Sequence, residues 1–236
     1  TLNASWSQGA TILAGDFGFR LEFEAFTYSC QHYLDHGAMM PPDGIARLRP
    51  FDAIFLGAVG APEVADHVSL WGLLIPIRRD FDKYVNLRPV KLLPGLPSPL
   101  ANRRPEEVDV LVVRENTDGE YSTVGGRRFE GTEREVVMQQ SVFTRHGVDR
   151  VLRYAFDAAK GRRGNLASAT KSNGIIHTMP YWDERVAAMA RDYPEVEVSQ
   201  YHIDIMTAHF VQHPDWFDVV VGSNLFGDIL SALGPA

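Results

Sequence analysis

Polar side chains stand at the ends of three apolar runs in this sequence. Residues 114–116 (Arg-Glu-Asn) follow Val-Asp-Val-Leu-Val-Val, residues 171–173 (Lys-Ser-Asn) follow Ala-Ser-Ala-Thr, and residues 223–224 (Ser-Asn) follow Asp-Val-Val-Val-Gly, with Asp228 one helical turn later. Guanidinium groups suit planar anions, carboxylates bind hard cations, and lysine can move a proton. Polar groups at strand ends are placed to meet a ligand in an α/β fold.

A purely structural interpretation of these residues is equally open at this point. Arg114 and Glu115 could form an ion pair that only stabilises the fold, and Lys171 could be a solvated surface lysine.

The common signatures of nucleotide-binding and hydrolytic sites are absent from the sequence, which contains no Gly-x-Gly-x-x-Gly, Walker, Gly-x-Ser-x-Gly or His-Glu-x-x-His motif. His209 and His213 have the four-residue spacing of zinc ligands on a helix, but no glutamate accompanies them and Pro214 ends the helix. A zinc site is therefore disfavoured.

Composition narrows the class of protein. The chain has 236 residues, with 23 Lys and Arg against 30 Asp and Glu, for a net charge of −7. This acidic balance disfavours nucleic acid as a partner, because phosphate-backbone binding relies on excess Lys and Arg. Cys30 is the single cysteine, so no intramolecular disulfide can form. No apolar run is long enough for a membrane helix, and we expect a cytoplasmic protein, with an organelle matrix as the alternative and no membrane partner.

The elements that must position these residues alternate between strands and helices. Apolar runs predict buried strands over 51–60, 85–93, 108–113, 165–170, 196–201 and 217–221. Apolar residues at helical spacing predict helices over 70–81, 148–159, 182–193, 203–211 and from Leu225 onward. This alternation predicts an α/β fold with a largely parallel sheet.

Several segments together resemble the metal-dependent, NAD-linked decarboxylating dehydrogenases, which include the isocitrate, 3-isopropylmalate and tartrate/D-malate dehydrogenases. The resemblance runs in order from about Phe19 to the last residue and implies the two-domain isopropylmalate-dehydrogenase-like fold. Residues 66–72 and the Thr-Lys-Ser-Asn-Gly spelling are most similar to the tartrate/D-malate branch. The segments that carry the resemblance are residues 56–60, the helix around Arg78, and residues 86–89, 112–121, 170–173, 202–204 and 223–231.

The resemblance implies that Arg78, Arg88 and Arg114 bind the substrate carboxylate that leaves as carbon dioxide. Guanidinium groups suit this role because they bind carboxylates through two parallel hydrogen bonds. The structural alternative is that these arginines pair instead with the carboxylates of Asp80, Asp82 or Glu115.

The resemblance also assigns the metal, the cofactor and the proton transfers. Asp204 and Asp228 would bind Mg²⁺ or Mn²⁺, Lys171 would help to take the substrate hydroxyl proton, and Tyr121 would return a proton to the enol carbon. Asn173 would contact the nicotinamide ribose of NAD. A packed core aromatic is the structural alternative for Tyr121.

In the resembling enzymes the lysine and one metal-binding aspartate come from the partner subunit, which implies a homodimer. A glycine-rich arm, residues 125–143 here, would clasp the two subunits. We expect the first, cofactor-side domain to occupy residues 1–86 and the second domain, with the arm and the metal and substrate residues, to occupy 87–236.

The sequence departs from the family pattern at three places. Ala232 stands where a second metal-binding aspartate is usual, one helical turn after Asp228. The family's Gly-Asp-Gly-Ile-Gly turn is not recognisable in residues 1–18, and its His-Gly-Ser-Ala-Pro-Asp segment for the adenosine of NAD does not occur. We therefore expect the chain to be truncated at both ends and its first domain to be incomplete.

These observations leave three functions open. The resemblance implies NAD-dependent oxidative decarboxylation of a 2-hydroxy dicarboxylic acid, D-malate or tartrate. A 3-isopropylmalate dehydrogenase is the enzymatic alternative, against which Trp71 beside the substrate helix argues. The third possibility is a catalytically inactive, shortened family member that at most dimerises or binds a ligand.

Overall fold

The computed structural model describes residues 10–12, 14–98, 100 and 103–234. The chain divides into two compact units, Thr1–Phe81 and Asp82–Ala236. The sequence placed the boundary after residue 86, inside the first strand of the second unit, β1 (Val85–Lys91). Because β1 pairs along its whole length with another strand of that unit, the division falls before it rather than within it.

The first unit is helical in its described part. It contains α1 (Cys30–His36), α2 (Gly44–Leu48), and a third helix made of α3 (Asp66–Ser69), a π-helical turn (Leu70–Leu74) and α4 (Ile75–Asp80). Leu73 and Ile77 are buried against Cys30, Met39, Leu48 and Val64. The predicted helix from Leu70 is thus confirmed, and Leu73 and Ile77 face the core.

The π-helical turn explains how Pro76 is tolerated inside this helix. Proline has no N–H and its ring collides with the carbonyl group one turn earlier, which normally kinks or ends a helix. Here the Ile75 N–H, one residue before the proline, donates to the carbonyl of Leu70, five residues back. The wider turn makes room for the ring, and α4 continues to Arg78 and Arg79.

The predicted strand over 51–60 is wrong, because this segment is irregular and Phe55 is 59% exposed. A strand exists only where a neighbouring strand satisfies its backbone, and the described residues of this unit offer none. We expected residues 1–18 to lack the family's Gly-Asp-Gly-Ile-Gly turn. Residues 1–9 and 13 of this segment lie outside the described residues, and residues 10–12 and 14–16 are helical.

The second unit is built on a five-stranded sheet. Besides β1, its strands are β2 (Asp109–Glu115), β5 (Asn165–Thr170), β6 (Glu197–His202) and β7 (Val219–Gly222). The strand order is β1-β2-β7-β5-β6. Strands β2, β7, β5 and β6 are parallel, and β1 pairs antiparallel with β2 at the edge. An edge position suits β1, because Pro89 cannot donate a ladder hydrogen bond. The predicted largely parallel α/β sheet is confirmed.

Helices cover both faces of this sheet, which is why its strands are nearly continuous apolar runs. Val113, Leu166 and Val221 point to one face and pack with α5 (Arg145–Lys160) and α6 (Thr178–Ala190). Val112 and Val220 point to the other face and pack with the remaining two helices. These are α7 (Ile203–Gln212) and α8 (Asn224–Leu233), and short 3₁₀ turns occupy Pro105–Glu107 and Pro214–Trp216.

A separate two-stranded sheet forms the glycine-rich arm. Strands β3 (Gly125–Arg128) and β4 (Val136–Gln139) pair antiparallel, and all eight residues are exposed. Val137 and Met138 are 61% and 53% exposed, so the arm presents apolar side chains to its surroundings. This hairpin lies within the predicted arm over 125–143.

No helix in the described part of the chain combines the length and the hydropathy that crossing a membrane requires.

Candidate active site

Two neighbouring elements bring Arg114 and Asp228 together. Arg114 lies near the carboxyl end of β2, and α8 begins directly after the adjacent parallel strand β7. The Ser223 side chain caps α8 by accepting from the Phe226 N–H. A Cβ on Gly227 would lie 2.6 Å from Arg114 Cβ, so this glycine permits the close approach of α8 to the strand. The first turn of α8 therefore packs directly on the arginine.

The Arg114 guanidinium is buried and held on two sides. Its Nε and Nη2 donate to Asn224 Oδ1 at 3.1 and 2.8 Å, and its Nη1 forms an ion pair with Asp228 Oδ1. Tyr121 donates its hydroxyl hydrogen to Asp228 Oδ2 at 2.9 Å, and Arg114 lies 5.6 Å from the centroid of the Tyr121 ring. A cation, a phenol and a carboxylate are thus in mutual contact.

The segment that carries Tyr121 is anchored to the start of α8. Glu120 accepts hydrogen bonds from Ser223 Oγ at 2.7 Å and from the Leu225 N–H at 2.9 Å. A carboxylate is favoured there because helix N-termini have free N–H groups and partial positive charge. Gly119 has φ +92° and passes so close to Asn224 that an added Cβ would lie 3.2 Å from the Asn224 Cβ. These contacts fix Tyr121 beside Asp228.

Burial and charge shift the pKa values in this group. Burial raises the pKa of the Tyr121 phenol above its ordinary value, and its hydrogen bond to Asp228 acts in the same direction. Tyr121 therefore keeps its proton at neutral pH. Burial also lowers the pKa of Arg114, opposed by Asp228 and reinforced by the nearby charge of Arg88. An arginine nevertheless stays charged throughout the physiological range.

Lys171 and Asp204 form a second pair on neighbouring strands. Lys171 follows β5, Asp204 lies in the first turn of α7 after β6, and Lys171 Nζ donates to Asp204 Oδ1 at 2.7 Å. This hydrogen bond lowers the pKa of the Asp204 carboxyl. The Lys171 side chain is 29% exposed and ion-paired, so it is not the solvated surface lysine of the structural alternative.

The other predicted residues lie in three different places. Asn173 is exposed in the turn that follows β5. Arg88 is exposed on β1, and its Nε donates to Asn86 Oδ1 at 2.9 Å. Asn86 stands opposite Arg114 in the β1–β2 register, so Arg88 and Arg114 lie on adjacent strands near the same sheet edge. Arg78 is half-buried in α4 of the first unit.

The carboxylates proposed as structural partners of the arginines are bonded elsewhere. Asp80 pairs with Arg49 at 3.7 Å and Asp82 with Arg150 at 2.7 Å. Glu115 is fully buried and accepts hydrogen bonds from Thr117 and from the Asp118 N–H. Burial still raises the pKa of Glu115.

The oxygen donors of Asp204 and Asp228 have the right chemistry for Mg²⁺ or Mn²⁺. They lie in the two different groups, however, since β5 separates the strands that precede them. Strands two places apart in a sheet are about 10 Å apart. Ala232 is exposed and has no side-chain oxygen to bind a metal. In the part of the chain that the structure describes, no group of three or more His, Cys, Asp or Glu side chains lies close enough together to hold a metal ion. Within one copy the carboxylates of Asp204 and Asp228 therefore lie in two separate groups.

Sequence reasoning assigned no role to Asn86, Asn224, Glu120 or Ser223. All four residues were within reach of the sequence, because they belong to the segments that carry the family resemblance. Asn86 lies two positions before Arg88 in one of these segments.

Comparison with known proteins agrees with the resemblance. The family model for isocitrate/isopropylmalate dehydrogenase matches residues 11–234. A decarboxylating D-malate dehydrogenase of Escherichia coli (strain K12) is 62% identical over 223 residues, which cover 93% of this chain and 62% of the relative. A tartrate dehydrogenase/decarboxylase of Pseudomonas putida is 58% identical, with coverage of 93% and 61%. The predicted similarity to the tartrate/D-malate branch is confirmed.

Solved structures give the same result for the fold. The crystal structure of isocitrate dehydrogenase from Methylococcus capsulatus superposes with a TM-score of 0.81 at 28% identity, covering 92% of this chain and 62% of that chain. The chain thus spans about three fifths of the length of the relatives it matches. With a family model that matches nearly all of its residues, the chain belongs to the isocitrate/isopropylmalate dehydrogenase family.

Proposed function

We propose that this chain catalyses the NAD-dependent and divalent-metal-dependent oxidative decarboxylation of D-malate or tartrate. The observation that carries the proposal is the contact of Arg114, Tyr121 and Asp228 at the carboxyl edge of a parallel sheet. This edge is where α/β folds bind ligands. The names of the relatives support a 2-hydroxy dicarboxylic acid as the substrate.

The arginines are proposed to bind the carboxylate that leaves. Arg88 and Arg114 lie on adjacent strands, and the family resemblance assigns the same role to Arg78. Each guanidinium can give two parallel hydrogen bonds to a carboxylate, which fixes its plane as well as its position. The departing group is thereby held in the orientation needed for cleavage of its bond to the neighbouring carbon.

Two side chains would move protons. NAD⁺, when bound, would supply the hydride acceptor for the oxidation of the substrate carbon. Lys171, as the neutral amine, would accept the hydroxyl proton. Carbon dioxide then leaves, and its former bonding electrons remain on the substrate as an enolate. Tyr121 would donate a proton to the enolate carbon, which gives pyruvate in the case of D-malate. The raised pKa of Tyr121 supports this role, since the phenol still carries its proton at neutral pH.

Asp204 and Asp228 would hold Mg²⁺ or Mn²⁺, which when bound would supply polarisation of the substrate hydroxyl and stabilisation of negative charge. Asn173 is exposed, so its amide is accessible to the ribose of the nicotinamide nucleotide. Ala232 offers no side-chain oxygen, so water or substrate would have to complete the set of oxygen ligands.

A homodimer would join the two half-sites. Lys171 and Asp204 of one copy would then face Arg114, Tyr121 and Asp228 of a second copy, which brings the two carboxylates together. The exposed apolar side chains of the β3–β4 arm support a contact between copies.

The first experiment measures NADH formation by the purified 236-residue chain with D-malate, NAD⁺ and Mn²⁺. We expect NADH that disappears when the metal is chelated. Tartrate and 3-isopropylmalate, tested in parallel, identify the substrate within the family. A folded, dimeric sample that forms no NADH with any of the three acids would contradict the proposal and favour a binding module without turnover.

A further inference from the structure

The arginines of this chain differ in the group that accepts the Nε–H hydrogen bond. Arg162 and Arg185 donate their Nε–H to Asp218 and Asp149 at 2.7 and 2.6 Å. Arg47, Arg104 and Arg145 likewise donate theirs to carboxylates. Arg88 and Arg114 instead donate to the amide oxygens of Asn86 and Asn224. The two arginines of the candidate site thus have neutral partners at this position.

Asn224 is built into the fold in a way that fixes its own orientation. Its Nδ2 donates to the Asp118 carbonyl at 3.1 Å, so its Oδ1 must face Arg114 and accepts from both Nε and Nη2. Asn224 is 3% exposed, and Gly119 packs against its Cβ. A rigid neutral acceptor therefore holds one edge of the guanidinium, while the opposite Nη1 reaches Asp228.

Asn86 is held in a similar chain of amides. Its Nδ2 lies 3.5 Å from Asn116 Oδ1, and Asn116 Nδ2 donates to the Lys83 carbonyl at 2.7 Å. The Asn86 oxygen is thereby directed to Arg88. Within the described residues no carboxylate lies within ion-pair distance of Arg88, so its charge is not neutralised by the chain itself.

The choice of acceptor has an electrostatic consequence. A carboxylate would hold the guanidinium in the same geometry but would cancel its charge, whereas an amide oxygen orients it and leaves the charge in place. Charge-assisted hydrogen bonds to an anion are roughly twice as strong as neutral ones, and an arginine already paired offers less of this gain.

We propose that Asn86 and Asn224 are positioning residues that orient Arg88 and Arg114 through neutral amide oxygens for a dicarboxylate substrate. Arg88 thereby keeps a charge that no carboxylate of the described residues cancels, and Arg114 pairs with Asp228 but takes no second carboxylate at its Nε. This inference rests on the proposed function, because it takes the anion recognised by the arginines to be the hydroxy acid.

The test replaces each asparagine with its negatively charged isostere. We would measure D-malate binding to the 236-residue chain in the presence of Mn²⁺ and without NAD⁺, by calorimetry, for wild type, Asn86→Asp and Asn224→Asp. We expect each variant to bind D-malate at least tenfold more weakly and the double variant more weakly still. The KM for D-malate should rise in the same order, with little change in the KM for NAD⁺.

A matched control replaces a carboxylate by an amide, the reverse of the test, at an ion pair away from the candidate site. Asp109→Asn removes a carboxylate from Arg162 and Lys91 at the far end of the sheet, and should leave D-malate affinity unchanged. Asn86→Asp lies on a half-exposed strand position and provides the decisive comparison if Asn224→Asp fails to fold, as checked by circular dichroism.

The outcomes separate this inference from the proposed function. Equal D-malate affinity in wild type and in folded Asn86→Asp would overturn the inference, and so would the absence of D-malate binding to wild type. Absence of NADH from a wild-type chain that binds D-malate, with weaker binding by both variants, would contradict the proposed function and leave the inference supported.

Discussion

The two ends of the five-stranded sheet use arginine in opposite ways. At the amino end, Arg162 and Arg163 surround Asp218, which is 1% exposed, and Arg162 also binds Asp109. At the carboxyl end, asparagine oxygens accept the Nε–H of Arg88 and of Arg114, and Arg114 also pairs with Asp228. A carboxylate that accepts from an arginine cancels charge that an external ligand could otherwise use, whereas an amide oxygen does not. The two ends therefore differ in the acceptor of the arginine Nε–H, and not in the presence of arginine.

The largest expected effect concerns Tyr121, the proposed proton donor. Tyr121→Phe should lower kcat for D-malate about 10²- to 10⁴-fold, because the proton returned to the enol carbon is lost. The pKa of Tyr121 is raised above its ordinary value of about 10, so the phenol stays protonated and the fold-loss should be constant from about pH 6 to pH 9. Steady-state kinetics across this range measure it.

The control for this substitution is Tyr193→Phe, which removes another tyrosine hydroxyl that bonds a carboxylate, Asp157. It should leave kcat unchanged. A Tyr121→Phe chain with wild-type kcat would remove Tyr121 from the proposed mechanism.

The second prediction concerns the proposed dimer, in which each active site would combine residues of two copies. Lys171→Met and Tyr121→Phe chains, each inactive alone, should regain about a quarter of wild-type activity when unfolded together and refolded as a mixture. Half of the dimers would then be mixed, and each mixed dimer would hold one intact site. NADH formation by the mixture measures this. Activity no greater than the sum of the separate chains would place both half-sites in a single copy.

The smallest expected effect lies at the amino end. Asp218→Ala leaves Arg162 and Arg163 without their shared carboxylate and should lower the free energy of unfolding by about 2 kcal/mol, since Asp218 is buried but both arginines are partly exposed. Denaturant unfolding measures the loss. The KM for D-malate should not change, and a large rise in KM would contradict the separation of structural and binding ends.

The strands of the second unit could be predicted because both faces of its sheet are covered. Val112, Val113 and Val219 to Val221 are all buried, so an apolar run and a strand coincide there. The run over 51–60 looks the same in the sequence but forms no strand. An apolar run records the tendency of a segment to be buried, and it contains no information about whether a neighbouring strand is present.

The site could be predicted residue by residue but not contact by contact. The family motifs identified Arg114, Tyr121 and Asp228, and their side chains are in contact. The bond between Arg114 and Asn224 joins positions 110 apart. It depends on the register of β2 with β7 and on the point where α8 begins, and both are set by tertiary packing. The neutral partner of the arginine could therefore be recognised only in three dimensions.

The direction in which the Arg78 side chain points depends on the number of residues in the π-helical turn over Leu70–Leu74. Each residue of an α-helix turns the chain by about 100°, so a chain shorter by one residue in this turn would rotate every later side chain of the helix by about that angle. Arg79 would then take about the direction that Arg78 now has, and Arg78 about that of the buried Ile77, without any substitution. The number of residues in the turn therefore decides which of two adjacent arginines points in a given direction. A single-residue deletion would replace one arginine by the other at that place.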